Sequence, residues 1–195
     1  MAVDVVLVDL DGTVWDGAPW YATLLAPDDG ADHMRLTSGL RDAAGGLRAA
    51  SLLKARYTPA RFAQASRANA AQLHMYDSAR ETLEQLADDA ALGVVTSLPA
   101  WMARPMLEAL ELTQLFDVIQ TAQWRVPAKP HPAALNRALA SLGHTNRGAT
   151  YIGDSKTDAD AATRAGMSFI GAGWGYGALE GPHVVDQWPA VRDAL

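Results

Sequence analysis

"VVLVDLDGT", residues 5–13, is an apolar run that ends in two carboxylates, Asp9 and Asp11, and then Gly12. A short, unbroken Val/Leu run is the signature of a strand buried on both faces, as in the interior of a parallel sheet. The stretch 5–11 therefore predicts a first strand. Carboxylates at the end of such a strand are costly unless a cation or strong donors meet them, so the rest of the chain has to supply those partners.

Four further runs have the same character: "LGVVTSL" (92–98), "FDVIQTA" (116–122), "ATYIGD" (149–154) and "MSFIGAG" (167–173). Helical patterns lie between them. "SARETLEQLADD" (78–89) opens on Ser78 with Glu81 three residues later, which predicts a capping box. "PAWMARPMLEALEL" (99–112) opens on Pro99, with a kink expected at Pro105. "HPAALNRALASLG" (131–143) has Pro132 early and Gly143 as its C-terminal stop. "SKTDADAATRAG" (155–166) begins at Ser155 and stops at Gly166. Strands alternating with helices predict an α/β, Rossmann-like three-layer core built on a parallel sheet.

Residues 16–77 break the alternation. They show no strand pattern, an Ala-rich composition, a break at Gly45-Gly46, and a helix start where Thr58 caps and Pro59 takes the first helical position. They predict a small helical domain inserted after the first strand, with 1–15 and 78–195 forming the core.

Composition narrows the functions. The chain has 195 residues, 49% hydrophobic and 19% charged, with a net charge of −6. The acidic balance argues against nucleic-acid binding. There is no cysteine, so a metal would rest on oxygen or imidazole ligands. No apolar run reaches the roughly 18 residues of a membrane span, and the start lacks a basic signal-peptide region. A cytoplasmic monomer or homodimer is expected.

In open parallel sheets, ligands bind beyond the carboxyl ends of the strands. Here those ends carry Asp9 and Asp11, then Thr96 and Ser97, then Asp154 and Asp158 in "GDSKTD", with Lys129 in "AKPHP" before a helix. Several carboxylates without cysteine favour a hard cation such as Mg²⁺, which binds a few carboxylates together with water and phosphate. Lys129, Thr96 and Ser97 suit an anion beside it. A carboxylate facing such a phosphate can act as nucleophile, and a second can move the proton.

"DLDGT", "VVTS", "AKP" and "GDSKTD" resemble, in order and spacing, the four motifs of the haloacid dehalogenase (HAD) superfamily. The resemblance runs from about residue 4 to 177. By that likeness, Asp9 is the nucleophile and Asp11 the general acid/base. Thr96, with Ser97 beside it, holds the phosphoryl group, and Lys129 stabilises its charge. Mg²⁺ is held by Asp9, Asp154 and the main-chain carbonyl of Asp11, with Asp158 supporting the metal's waters. The insertion takes the place of the family's C1 cap, and "WGYG" (174–177) and "AATRAG" (161–166) resemble phosphoglycolate-phosphatase-like members. Two positions depart from the common pattern: "WDG" follows the first motif, and Ser97 stands where Asn is frequent. The presence of Asp11 argues against dehalogenase, phosphonatase and P-type ATPase chemistry. It leaves hydrolysis of a small phosphorylated metabolite, with a sugar phosphomutase or a catalytically silent binding protein as alternatives.

One charge pattern stands apart. From Arg35 to Arg67 there are seven basic residues and one acid, Asp42. That stretch carries +6, and with a total of −6 the remainder carries −12. A basic lid would concentrate an anionic substrate, the alternative being a solvated helix surface; at most one or two of these side chains are expected to face the site.

Overall fold

The computed structural model describes residues 3–26, 30–42 and 45–195. β1 (Val5–Val8) is buried along its whole length. The chain then turns sharply, the Leu10 carbonyl accepting from the amides of Thr13, Val14 and Trp15. The first strand is thus shorter than 5–11, and both acids stand beyond its end. Next come β2 (Trp15–Asp16), α1 (Ala18–Leu25), α2 (Gly30–Leu40), α3 (Gly45–Lys54), α4 (Pro59–Ala68) and β3 (His74–Met75). The core elements follow as α5 (Ala79–Asp89), β4 (Ala91–Pro99), α6 (Ala100–Ala109), β5 (Val118–Ala122), α7 (Ala133–Leu142), β6 (Ala149–Gly153), α8 (Lys156–Ala165), β7 (Ser168–Ala172), β8 (Val184–Val185) and α9 (Ala190–Ala194).

The main sheet has six parallel strands in the order β5-β4-β1-β6-β7-β8. Alternate residues of β1 feed different cores, as the period-two pleat requires. Val6 and Val8 pack with Leu83 of α5 and Met102 and Met106 of α6. Val5 and Leu7 pack with Leu135 and Leu139 of α7 and with Ala161 and Ala162 of α8. Helices therefore cover both faces, and this is the three-layer α/β architecture. Burying each such side chain contributes about 1.5–3 kcal/mol, which is why the opening run contains no polar residue until the strand is over.

Two expectations need correction. The segment 16–77 is not free of strand: β2 pairs antiparallel with β3, Trp15 opposite Met75 and Asp16 opposite His74. This two-residue ribbon ties together the two ends of the helical segment, and it is too short to leave a sequence pattern. Ser78 does not cap α5. It sits in a turn at φ 60° and its side chain makes no capping bond, because the chain arrives there through a turn in which the Ala79 amide reaches the Tyr76 carbonyl. The capping box forms at α8 instead, where Ser155 accepts from the Asp158 amide and Asp158 accepts from Ser155. The break at Gly45-Gly46 marks the passage from α2 to α3, which these glycines open.

The helical segment packs onto the sheet-covering helices without a gap in the apolar core. Trp20 lies edge-on to Phe62 at 5.4 Å, and Phe62 lies edge-on to Trp101 of α6 at 5.0 Å. Thr58 caps α4 by accepting from the Arg61 amide, with Pro59 at the first position. No helix among the described residues is long and apolar enough to cross a membrane.

Candidate active site

β4, β1 and β6 are neighbours, with Val8 level with Val94 on one side and Ile152 on the other. Two residues further along, the flanking chains carry Thr96 and Asp154 to the same rim where β1 has given way to Asp9 and Asp11. Asp9, Asp11, Thr96, Ser97, Lys129 and Asp154 all line one cleft there. Asp158 lies just beneath it, 1% exposed. The residues singled out from sequence are thus brought together from four separated segments.

Lys129 organises the floor. Its ammonium is 2.9 Å from Asp9 Oδ2, 2.6 Å from Asp158 Oδ1 and 2.9 Å from the Tyr151 hydroxyl. An ammonium has three protons, and these three acceptors use them all. Burial acts to lower the pKa of Lys129, but Asp158 and Asp9 outweigh it and hold the group above the ordinary lysine range. Tyr151 in turn donates to the Val95 carbonyl at 2.8 Å. The other Asp158 oxygen accepts from the Ser155 amide at 3.1 Å and from the Ser155 hydroxyl at 2.5 Å. Asp158 is therefore committed to fixing Lys129 and the start of α8.

Asp9 is differently placed. One oxygen is held by Lys129, while Oδ1 is buried and has no hydrogen-bond partner. Asp9, Asp154 and Asp158 each offer a carboxylate oxygen within 4.8 Å of the others. Burial, reinforced by neighbouring negative charge, raises the carboxyl pKa of Asp9, Asp11 and Asp154. Burial comes first for Asp9, with Lys129 opposing it. Asp154 is pushed up to about 7 by burial, then by Asp9 and Asp158. Burial, Asp9 and Asp154 together hold Asp11 well above the carboxylate range. Gly12 makes the crowding possible: it sits at φ 87°, and a Cβ there would collide with the Asp154 carboxylate.

Asp11 accepts from the Gly17 amide at 3.1 Å and lies 3.3 Å from the Tyr176 hydroxyl. Tyr176 also presents its amide to Asp154 at 2.7 Å, so a single residue touches both acids. Its hydroxyl lies 2.7 Å from Asp16, whose other oxygen meets Arg41, just after α2, at 2.5 Å. Thr96 accepts from the Leu98 amide at 3.1 Å, which fixes the turn that presents it.

Sequence reasoning missed Tyr151, Tyr176 and Gly46. Tyr151 reads as one more apolar strand residue, and only its hydroxyl distinguishes it from core. Tyr176 lies within "WGYG", which carries no periodicity. Gly46 lies against Asp11, its imaginary Cβ only 2.8 Å from Oδ2. Of the basic stretch, Arg41 pairs with Asp16, Arg48 with Asp42 and Arg35 with Asp32, and Arg56 reaches the Leu25 carbonyl. Most of that charge is thus occupied within the helical segment.

Comparison with known proteins agrees with this geometry. Residues 38–172 match the family model described as haloacid dehalogenase-like hydrolase. A phosphoglycolate phosphatase of Haemophilus influenzae (strain 86-028NP) is 36% identical over 103 residues, 52% of this chain and 46% of the relative. The matched region thus spans about half the length of that curated relative. A HAD-superfamily hydrolase of subfamily IA, variant 1, from Geobacter sulfurreducens superposes with a TM-score of 0.74 at 24% identity, covering 100% of both chains. A HAD phosphatase from Thermococcus onnurineus gives 0.72 at 22% identity, covering 97% of this chain and 96% of its own. These two likenesses establish the fold.

Proposed function

The chain belongs to the haloacid dehalogenase-like hydrolase family, and from that premise we propose that it is a phosphatase for a small phosphorylated metabolite, with Asp9 as the nucleophile. The observation that carries this reading is the asymmetry of Asp9: one oxygen is pinned by Lys129, and the other is buried, unpartnered and beside the cleft. An unsatisfied buried carboxylate oxygen is costly. Its persistence suits an atom that binds a cation or attacks an electrophile.

The residues also fit a hard divalent cation. The donors are oxygens only, the acids outnumber the lysine, Asp9 has an orphaned oxygen, and Asp9 and Asp154 each offer a carboxylate oxygen within 4.8 Å of the other. Asp9, Asp154 and the Asp11 carbonyl would hold Mg²⁺, which when bound supplies charge neutralisation for the phosphate. Asp9 attacks phosphorus, forming a carboxylate–phosphate bond as the bond to the alcohol oxygen breaks. Asp11, whose environment favours the protonated form, gives its proton to that leaving oxygen. It then takes a proton from the water that attacks the aspartyl phosphate and regenerates Asp9. Thr96 and Ser97 bind the phosphoryl oxygens, and the positive charge of Lys129, fixed by Asp9, Asp158 and Tyr151, offsets theirs. Asp158 holds Lys129 in place and would support the waters of a bound metal. The helices of 16–77 act as a cap over the core formed by 1–15 and 78–195, excluding water during transfer. The cytoplasm suits such a chain.

Phosphate release from a panel that includes phosphoglycolate and sugar phosphates, with and without EDTA, tests the reading. Asp9→Asn should lower release by at least about 10³-fold. A variant retaining more than a tenth of wild-type turnover would exclude the covalent route. Transfer to a second sugar hydroxyl without phosphate release would make it a mutase.

A further inference from the structure

A second groove opens off the catalytic cleft. Its volume is about 410 Å³, within the range of small-molecule sites, and it shares Leu47, Thr96, Ser97 and Lys129 with the cleft. Apolar side chains dominate its walls, among them Trp101, Val126, Pro127 and Trp124. Trp124 stands out among the six tryptophans. Trp15, Trp20 and Trp188 are buried and Trp101 and Trp174 half-buried, whereas Trp124 is 101% exposed. It belongs to the loop 123–128 that leads from β5 to Lys129. A fully exposed indole forgoes about 2–3 kcal/mol of burial, so an isolated one beside a catalytic cleft calls for an occupant.

α3 gives the groove a direction. Gly46, at its start, lies against Asp11. Leu47 and Lys54 both line the groove and are seven residues apart, on the same face and about 10 Å along the axis. Lys54 makes no ion pair among the described residues, unlike several of its cationic neighbours in the helical segment. The groove thus runs from the phosphate end, past an apolar wall, to an ammonium.

We propose that this groove seats the alcohol portion of the phosphate monoester, and that this portion is a flat, largely apolar ring bearing an acceptor or anionic group at its far end. Trp124 is the stacking platform and Lys54 the distal contact. The inference rests on the phosphatase reading above and narrows its substrate class. Continuity through Thr96, Ser97 and Lys129 commits the groove to the same molecule whose phosphate lies in the cleft. A two-carbon acid attached to that phosphate would leave most of the volume empty and would not reach Lys54.

The test uses three esters: 4-carboxyphenyl phosphate, phenyl phosphate and phosphoglycolate. Trp124→Ala should raise KM for both aryl esters at least about 5-fold more than for phosphoglycolate, with the loss in KM rather than kcat and with Trp124→Phe restoring most of it. Lys54→Ala should raise KM for the carboxyphenyl ester more than for phenyl phosphate. Equal KM changes across all three esters, or none, overturn the inference while leaving the phosphatase reading intact. If the wild type releases phosphate from no ester, the phosphatase reading fails by itself. Calorimetric binding of 4-carboxyphenyl phosphate then decides the groove: affinity at least 5-fold weaker in Trp124→Ala supports it, and unchanged affinity rejects it.

Discussion

The Tyr176 hydroxyl lies 2.7 Å from Asp16 and 3.3 Å from Asp11. One phenolic proton serves one acceptor at a time, and the shorter contact assigns it to Asp16. Burial first, and then Asp11 and Asp16, hold this phenol above its ordinary pKa, so it keeps its proton. Asp16 also binds Arg41, so the chain just after α2 is linked through Asp16 and Tyr176 to the proposed acid/base.

Tyr176→Phe keeps the ring and removes this link. The expected outcome is a fall of about 10-fold in kcat, typical of losing one positioned hydrogen bond, with a melting temperature within a few degrees of wild type. Steady-state kinetics beside a thermal melt measure both. An unchanged kcat would mean that Asp11 is placed by Gly17 alone.

Lys129 illustrates the other kind of contact, a buried cation shared by two acids. Lys129→Met leaves Asp9 and Asp158 facing each other without compensation, and breaking such a buried pair costs about 3–5 kcal/mol. Adding Asp158→Asn should recover part of that loss, because one of the stranded charges is gone. Urea denaturation of wild type, single and double variants in EDTA reads this directly. If the double variant is no more stable than the single, Asp158 is not the acid that Lys129 neutralises.

Acidity gives a separate check. Asp154 is held at about 7 in the folded metal-free protein against an ordinary 3.8. Between those values the folded state carries a proton that the unfolded chain has released. Stability of the metal-free protein should therefore fall as pH rises from about 4 to about 7, then level off for this group. Mg²⁺ binding needs the ionised carboxylate, so affinity should rise over the same interval. Asp154→Asn should flatten the stability profile and weaken Mg²⁺ binding at every pH. Parallel profiles for wild type and variant would show that another group sets the slope.

How much was legible in the sequence follows from what leaves a pattern. β1 was readable because a strand buried along its whole length must be apolar throughout, and β4, β5, β6 and β7 because each is a short run rich in β-branched and apolar residues between helical patterns. Asp9, Asp11 and Asp154 stand out because charges at strand ends are costly without a partner, whereas Lys129, in a Pro-rich loop, stands out only by its place among the motifs that resemble the HAD superfamily. The β2–β3 ribbon was not, since two residues cannot show a period. Ser78 misled because its residue type and spacing fit a capping box, while tertiary structure set its backbone in a turn. Tyr151 and Tyr176 escaped because a hydroxyl on an aromatic ring adds nothing to periodicity. The basic stretch 35–67 left a lid over an anion and a solvated helix surface both open, and Arg41, Arg48, Arg35 and Arg56 are taken up by local acids and a carbonyl.

Gly46 shows why a glycine pair at the start of α3 is needed at all. A Cβ on Gly46 would sit 2.8 Å from Asp11 Oδ2 and 2.9 Å from Leu98 Cδ2. Its backbone conformation does not itself demand glycine, so the constraint is close approach rather than strain. Gly46→Ala must push α3 away from the rim or rotate Asp11. The helix itself should gain slightly, since alanine favours helix over glycine by up to about 1 kcal/mol. The expected result is a melting temperature equal to or above wild type, combined with a loss of at least about 10-fold in kcat as Asp11 is displaced from the leaving oxygen. Because stability and turnover move in opposite directions, general misfolding cannot produce the pattern. Retention of full turnover by a stable Gly46→Ala protein would show that the contact between α3 and Asp11 has no part in catalysis.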